Sequence, residues 1–239
     1  MATIICKIAD IIVEVPAFGG VDSKCSKYIY EGIESPGIII DEGKYHPEKY
    51  GNNFSFDDIA YMESARQFYT QLLHKDGFYL HASAVELDGE AYLFSGKSGV
   101  GKSTHTRLWK RIFGHKVTVF NDDKPALRFI DGKWYAYGTP WCGKDGINQN
   151  MKVPLAGICF LKQAPHNKIR RLSAVEAIPK ITSQTIYKFK NTERLELLLG
   201  HLDKLLITVP VYELENKPEN EAVLLSYNTM RRGAEESNL

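Results

Sequence analysis

The sequence predicts an α/β fold in which a mixed β-sheet carries a phosphate-binding loop, preceded by a small β-rich region over residues 1–55. Three observations lead there. The apolar strand pattern AYLFS runs directly into Gly96-Lys97-Ser98-Gly99-Val100-Gly101-Lys102-Ser103, which opens the helical pattern THTRLWKRIF. Strand and helix patterns then alternate through the rest of the chain, as in α/β proteins. Asp88-Gly89 and Asp131-Gly132 each separate two strand-like runs, a hairpin signal that makes the sheet mixed rather than purely parallel.

In order along the chain, TIICKIADIIVEV and KYIYEG are rich in β-branched and aromatic residues, with turns expected at Gly19-Gly20, Pro36-Gly37 and Glu42-Gly43. A lead helix over 56–75 begins a second region, 56–239. Ser55 and Asp58 suit a capping box, and Ile59, Met62, Phe68, Tyr69 and Leu72 fall on one helical face. GFYLHASAVEL and EAYLFS read as two strands around Asp88-Gly89. Gly114 can close the helix after the glycine-rich loop. KVTVF is a strand ending at Asn121-Asp122-Asp123, PALRFI and KWYAYG form a second hairpin, and VPLAGICFL is an apolar strand. Ser173 and Glu176 cap a helix over about 174–186. TERLELLLGHLDKLL is an amphipathic helix, ITVPVYELE a late strand, and Pro218 opens a last helix whose tail, RRGAEESNL, reads as polar and frayed.

Bulk properties narrow the function. With 30 basic and 29 acidic residues the net charge is +1, without the basic excess of a chain that lives on phosphate backbones, so nucleic acid is not the expected partner. No segment approaches the roughly 18 apolar residues that suggest a membrane span, and the start lacks the pattern of a signal peptide. Cys6, Cys25, Cys142 and Cys159 form no CxxC pair, which points to reduced, packed thiols in a cytoplasmic protein.

The loop matches G-x-x-x-x-G-K-[ST]. Gly96, Gly99 and Gly101 let backbone N–H groups of the stretch through Ser98, Val100 and Thr104 turn towards phosphates. Lys102 supplies a point charge to the β- and γ-phosphates, Ser103 offers its hydroxyl to magnesium, and the following helix points its positive end at the anion. The expected ligands are ATP or a close relative and Mg²⁺. Downstream, Asp122 and Asp123 close a strand. An acid there can hold the metal while its neighbour takes a proton from an attacking hydroxyl, although two aspartates also suit a solvated turn. His81 sits on the strand before the loop strand, and pairing of the two would bring it towards the γ-phosphate. His105 and Arg107 lie on the helix that follows. The loop GTPWCGKDGINQN offers Trp141, Lys144 and Asn148 as lining for an acceptor, or is a turn-rich connector with a packed Trp.

HASAV, GKSGVGKST and NDDKPAL, in that order, resemble the catalytic domain of HPr kinase/phosphorylase and its kinase relatives, a class that shares its phosphate-loop fold with phosphoenolpyruvate carboxykinase. The resemblance spans about 78–215 and implies roles. Lys102 holds phosphate, Ser103 and Asp122 serve magnesium, Asp123 acts as base towards a serine hydroxyl, and His81 supports the site. The glycine-rich second signature of HPr kinase, with Glu and Arg, has no counterpart; GTPWCGK and INQNMKVPLAGICFLKQAPHNKI stand there instead. The chain therefore looks more like the HPr-kinase-related proteins found beside peptide-modification genes. The implied activity is ATP-dependent, Mg²⁺-dependent phosphorylation of a serine-like hydroxyl on a small molecule or peptide, in a protein compatible with a homo-oligomer. Two other readings stay open: a nucleotide-binding regulatory module with little turnover, and a carboxykinase-like or phosphorolytic enzyme.

Overall fold

A computed structural model describes residues 2–17, 20–51, 53–185 and 191–237. Among them the elements are β1 (Thr3–Ile8), β2 (Ile11–Pro16), α1 (Val21–Cys25), β3 (Ile38–Ile39), α2 (Phe56–Leu72), β4 (Gly77–Tyr79), β5 (Ala82–Leu87), β6 (Glu90–Ser95), α3 (Lys102–Phe113), β7 (Thr118–Asp123), β8 (Ala126–Ile130), β9 (Lys133–Tyr137), β10 (Lys152–Gln163), β11 (Lys168–Arg171), α4 (Ala174–Ser183), α5 (Thr192–Thr208), β12 (Val211–Asn216) and α6 (Asn220–Ser237).

The main sheet runs in the order β4-β8-β9-β10-β6-β5-β7, with β12 beside β10 and β11 beside β12. It is mixed: β10 is parallel to β6 and to β12, and the hairpin pairs are antiparallel. Both expected hairpins form. Asp88 and Gly89 take φ of 55° and 82°, Asp131 and Gly132 take 49° and 79°, the two successive left-handed residues that a tight hairpin turn needs. Side chains alternate across the sheet. One face (Leu80, Ala82, Ala84, Leu93, Phe120) packs on Ala177 and Ile181 of α4 and Leu198, Leu202 and Leu205 of α5. The other (Val85, Tyr92, Phe94) packs on Leu108 and Trp109 of α3 and Val223 and Met230 of α6.

The N-terminal strands form a separate three-stranded sheet, β1-β2-β3, whose first turn bends through Ala9 and Asp10, both at positive φ. Its core is shared with α2 and with Tyr79, Ala126, Tyr137 and Trp141. Both capping boxes form, at Ser55/Asp58 and Ser173/Glu176. All four cysteines are free and buried. No helix among the described residues is long and apolar enough to cross a membrane.

Several expectations change. KYIYEG is not a strand. Ser26–Tyr28 is a single tight turn, and Ile29 makes one bridge to Cys6. GFYLHASAVEL is two strands, because β4 pairs with β8 while β5 pairs with β6 and β7. Ile207 and Thr208 end α5 instead of starting the late strand. The tail is helical through Ser237. Met62 is half-buried, whereas Glu63, Ser64 and Gln67 of α2 are buried, so that helix is enclosed on more than its apolar stripe. The Gly19 half of the Gly19-Gly20 turn and Ile186 at the end of the 174–186 helix lie outside the described residues.

Two histidines are locked in the core. Burial pushes His105 down to about 3. Burial also lowers His201, against the opposing hydrogen bond to the Leu73 carbonyl. Unfolded histidine titrates near 6.5, so below that pH the unfolded chain takes up protons that the native state refuses. Stability should therefore fall as pH drops from 6.5, by up to about 1.4 kcal/mol per pH unit for each such histidine. Urea unfolding at pH 7 and pH 5 measures this, and His201→Gln should flatten the slope; equal stability at the two values would contradict it.

Candidate active site

The geometry begins with β5, which lies between β6 and β7 and is antiparallel to both. Its start therefore meets the ends of its two neighbours. Ala82 stands opposite Ser95, the last residue before the glycine-rich loop, and also opposite Asp123. His81, one residue earlier, is thereby placed between the loop and the acid pair. A bulge in β7 puts Phe120 between the pairs Val85–Val119 and Ala84–Asn121, an irregularity of the kind that re-aims strand ends near sites.

Adjacent strand residues face opposite ways, and the two aspartates do so here. Asp122 shares a row with Ser83, whose hydroxyl bonds Thr106 of α3 at 2.8 Å, and Asp122 Oδ1 accepts from Ser103 Oγ at 3.2 Å. Asp123 turns to the other side. Its Oδ1 lies 3.2 Å from His81 Nε2, and its Oδ2 pairs with the Lys124 ammonium. Burial alone would raise the Asp123 carboxyl; the hydrogen bond from His81 and the Lys124 charge outweigh that and bring it down to about 2. Asp123 adopts φ 126°, a conformation that residues with side chains rarely take. The turn is clamped from several sides. Asn121 Oδ1 accepts from the Lys124 N–H at 3.0 Å, Asn121 Nδ2 donates to the Thr139 carbonyl at 3.0 Å, and the Tyr69 hydroxyl of α2 donates to the Lys124 carbonyl at 2.5 Å.

The loop joins β6 to α3, with Gly96, Gly99 and Gly101 at φ of 139°, 77° and 107°. A Cβ at Gly96 would sit 3.1 Å from Val100 Cγ1 and 3.2 Å from the Leu161 carbonyl oxygen, so the loop closes against β10 only with glycine there. The Lys102 ammonium donates to the carbonyls of Gly96 (3.0 Å) and Lys97 (3.3 Å). Burial lowers its pKa, and Asp123 and Asp122 push back.

The donor set suits a small hard cation. Asp122 is only 8% exposed and, among the described residues, makes no ion pair; its carboxylate meets the Ser103 hydroxyl and feels Lys102 only at longer range. A buried carboxylate without a cation is costly. Among the described residues no group of three His, Cys, Asp or Glu forms a metal cage. A hydroxyl and one carboxylate are the partial set that magnesium takes when phosphate and water complete its shell.

Two clefts flank the loop. One, of about 450 Å³, is lined by Lys97, Val100, Phe160, Lys162, Lys180 and Gln184. Gln184, just past α4, holds His81 twice: its carbonyl accepts the His81 N–H at 2.8 Å, and its Oε1 lies 3.2 Å from His81 Nδ1. The second, about 390 Å³, opens beside Gly101 and Thr104. A larger cavity of about 690 Å³ lies at the N-terminal sheet, lined by Glu14, Ile39, Asp41, Lys44, Arg66 and Gln67, and none of the loop residues reaches it.

The structure thus brings His81, Lys102, Ser103, Asp122 and Asp123 into one place. It does not do so for the expected acceptor lining. Trp141 is fully buried, stacked on Phe68 at 4.7 Å between centroids, with Nε1 donating to Ser64 Oγ at 3.0 Å. Asn148 is buried too; its Nδ2 lies 3.4 Å from Cys142 Sγ, and its carbonyl accepts from Lys27. Both are packing residues of the connector. Lys144 is exposed on the same loop, next to Gly143, whose N–H donates to the Asp122 carbonyl. His105 is core and Arg107 pairs with Asp145 on the surface. Sequence reasoning missed Gln184, more than a hundred residues from His81, and Tyr69, which read only as helix core.

Fold and site together define an α/β protein whose glycine-rich loop faces a strand-end pair of acids. The family described as SynChlorMet cassette protein ScmC matches residues 53–216, well over half of the chain, and the chain belongs to that family. Among solved structures, the Hpr(Ser) kinase/phosphatase from Coxiella burnetii is similar at a TM-score of 0.37 and 12% identity, over 67% of this chain and 99% of that one. No curated protein sequence matches.

Trp141→Ala should destabilise the protein by about 3–5 kcal/mol in urea unfolding, as for a large core aromatic, whereas Lys144→Ala should shift stability by no more than about 0.5 kcal/mol. A Trp141→Ala protein of native stability would show that the ring is not core.

Proposed function

We propose that this chain is an ATP-dependent, magnesium-dependent kinase that transfers the γ-phosphoryl group to a serine-like hydroxyl of a small molecule or peptide. The observation that carries the reading is the split of the acid pair: Asp122 towards Ser103 and the loop, Asp123 towards His81 and Lys124. A solvated turn gives no reason for one aspartate to be buried with no ion pair among the described residues and the other to be strained and held by both His81 and Lys124.

In this reading the loop N–H groups and Lys102 bind the β- and γ-phosphates. Ser103 and Asp122 would hold magnesium, which supplies charge neutralisation on the phosphates. Asp123 orients the acceptor hydroxyl and takes its proton. Its lowered pKa keeps it ionised at neutral pH, and phosphoryl transfer through a loose transition state asks more for a positioned acceptor of the proton than for a strong base. His81, steered by Gln184, stabilises Asp123 and faces the transferring group. The acceptor enters from the side of Gln184 and Lys180, where the 450 Å³ cleft reaches the loop. A gene-cassette family is a fitting setting for a kinase with a dedicated acceptor, such as a peptide modified within the same cluster.

Asp123→Asn should keep magnesium-ATP binding and lose transfer by about 10²-fold or more, as expected for loss of a general base. Asp122→Asn should weaken the magnesium dependence of ATP binding. Labelled-ATP transfer to a panel of serine-bearing small molecules and peptides, alongside calorimetry, separates the two. Full transfer by Asp123→Asn with binding intact would sink the proposal.

A further inference from the structure

The acid turn has one cation more than its carboxylate answers. The Tyr61 ring of α2 stands beside that turn: its hydroxyl donates to the Cys142 carbonyl at 2.6 Å, and Cys142 makes a backbone bridge to Asp123. Two ammonium groups lie over this ring, Lys24 Nζ at 3.9 Å from the centroid and Lys124 Nζ at 5.4 Å. Lys124 is paired with Asp123. Lys24 is half-buried, and no carboxylate, carbonyl or hydroxyl of the described residues accepts from it. An aromatic face attracts an ammonium without neutralising its charge.

The N-terminal region brings Lys24 there. It lies on α1, and the turn after α1 is tied to the connector behind the acid pair. Lys27 Nζ donates to the Asn148 carbonyl at 2.7 Å, and Asn150 Nδ2 donates to the Lys27 carbonyl at 3.3 Å. Asn148 in turn bridges to Asn121, next to the acid pair. The two acids face opposite ways, Asp122 with Ser103 and Asp123 with Lys124, so the charge of Lys24 belongs to the Asp123 side. Phosphates on the loop have Lys102 and the loop N–H groups; an anion for Lys24 arrives with whatever hydroxyl Asp123 receives.

We propose that Lys24 determines acceptor specificity by pairing with a carboxylate that the acceptor carries close to the hydroxyl to be phosphorylated. The inference rests on the reading of Asp123 as the group that receives the acceptor hydroxyl, and it narrows the acceptor to an anionic alcohol. The carboxylate belongs to a small hydroxy acid or to an acidic residue adjoining a peptide serine. The N-terminal region then supplies the charge that recognises the acceptor.

Steady-state transfer from labelled ATP by the full chain tests it with two matched acceptor pairs: L-serine against L-serinamide, and a peptide with Glu on both sides of its serine against the same peptide with Gln. The wild type should prefer the carboxylate member of at least one pair by about tenfold or more in kcat/KM, as for one hydrogen-bonded charge pair, and the pair that shows it tells the small acid from the peptide. Lys24→Gln should raise KM for the preferred acceptor by about tenfold, with kcat, KM for the neutral partner and calorimetric magnesium-ATP binding little changed. Lys24→Arg should restore the preference. A wild type indifferent to the carboxylate, a Lys24→Gln protein that keeps the preference or loses both members of the pair equally, or no transfer to any of the four acceptors by a protein that binds magnesium-ATP would each overturn the role of Lys24 while leaving nucleotide binding in place. Failure of the wild type to bind magnesium-ATP would overturn the kinase reading and this inference with it.

Discussion

The constraint on which the rest depends is a single row of backbone pairing, Ser95–Ala82–Asp123, across β6, β5 and β7. Antiparallel register puts the end of β6, the start of β5 and the end of β7 at one edge. The glycine-rich loop, His81 and the acid pair come from separate parts of the chain, and this row makes them neighbours. A one-residue slip of β5 would turn its alternating set to the other face, breaking the packing of Ala82 and Ala84 on one side and, on the other, the packing of Val85 and the Ser83–Thr106 hydrogen bond. The buried faces therefore hold the register, and the register holds the site.

Support comes from a region with no candidate chemistry of its own. The acid turn carries an unfavourable backbone angle at Asp123, and such strain persists only where the surroundings over-determine it. Here Tyr69 and Tyr61 of α2 reach the carbonyls of Lys124 and Cys142. Trp141, Phe68 and Tyr69 pack behind them in the same cluster as the N-terminal sheet. The aromatic residues of α2 and the connector after β9 thus form the rigid backing of a polar edge. That is why Trp141, which has the composition of a binding residue, is found in the core.

What was legible in the sequence was local. The two Asp-Gly hairpins and the two capping boxes are each fixed by residues within a few positions and form as read, and the glycine-rich stretch joins a strand to a helix as its pattern implied. The pairing of His81 with Asp123 was only half legible: the motif order implied a shared site, but the register that brings them within 3.2 Å depends on a bulge at Phe120 with no sequence mark. Gln184 was illegible because its contact with His81 is purely tertiary. Trp141 and Asn148 departed from the expected acceptor lining for a different reason. Polar and aromatic residues in a glycine-rich connector serve packing as readily as binding, and only burial tells them apart.

Charge gives the site its remaining logic. Asp123 is matched by Lys124 and His81, while Asp122 is buried beside a neutral hydroxyl. Lys102 stands close enough to be influenced by both acids, yet its hydrogens go to loop carbonyls. The two halves are thus unequally balanced before any ligand arrives. A polyphosphate alone would add negative charge next to a carboxylate that makes no ion pair among the described residues, and would be opposed by it. A polyphosphate arriving with a divalent cation brings the charge that Asp122 lacks. Binding of anion and metal should accordingly be coupled through Asp122, while Asp123, already compensated, is left free to engage a third group. The unequal pairing of two adjacent aspartates leaves one side of the pair open to a cation and the other already compensated.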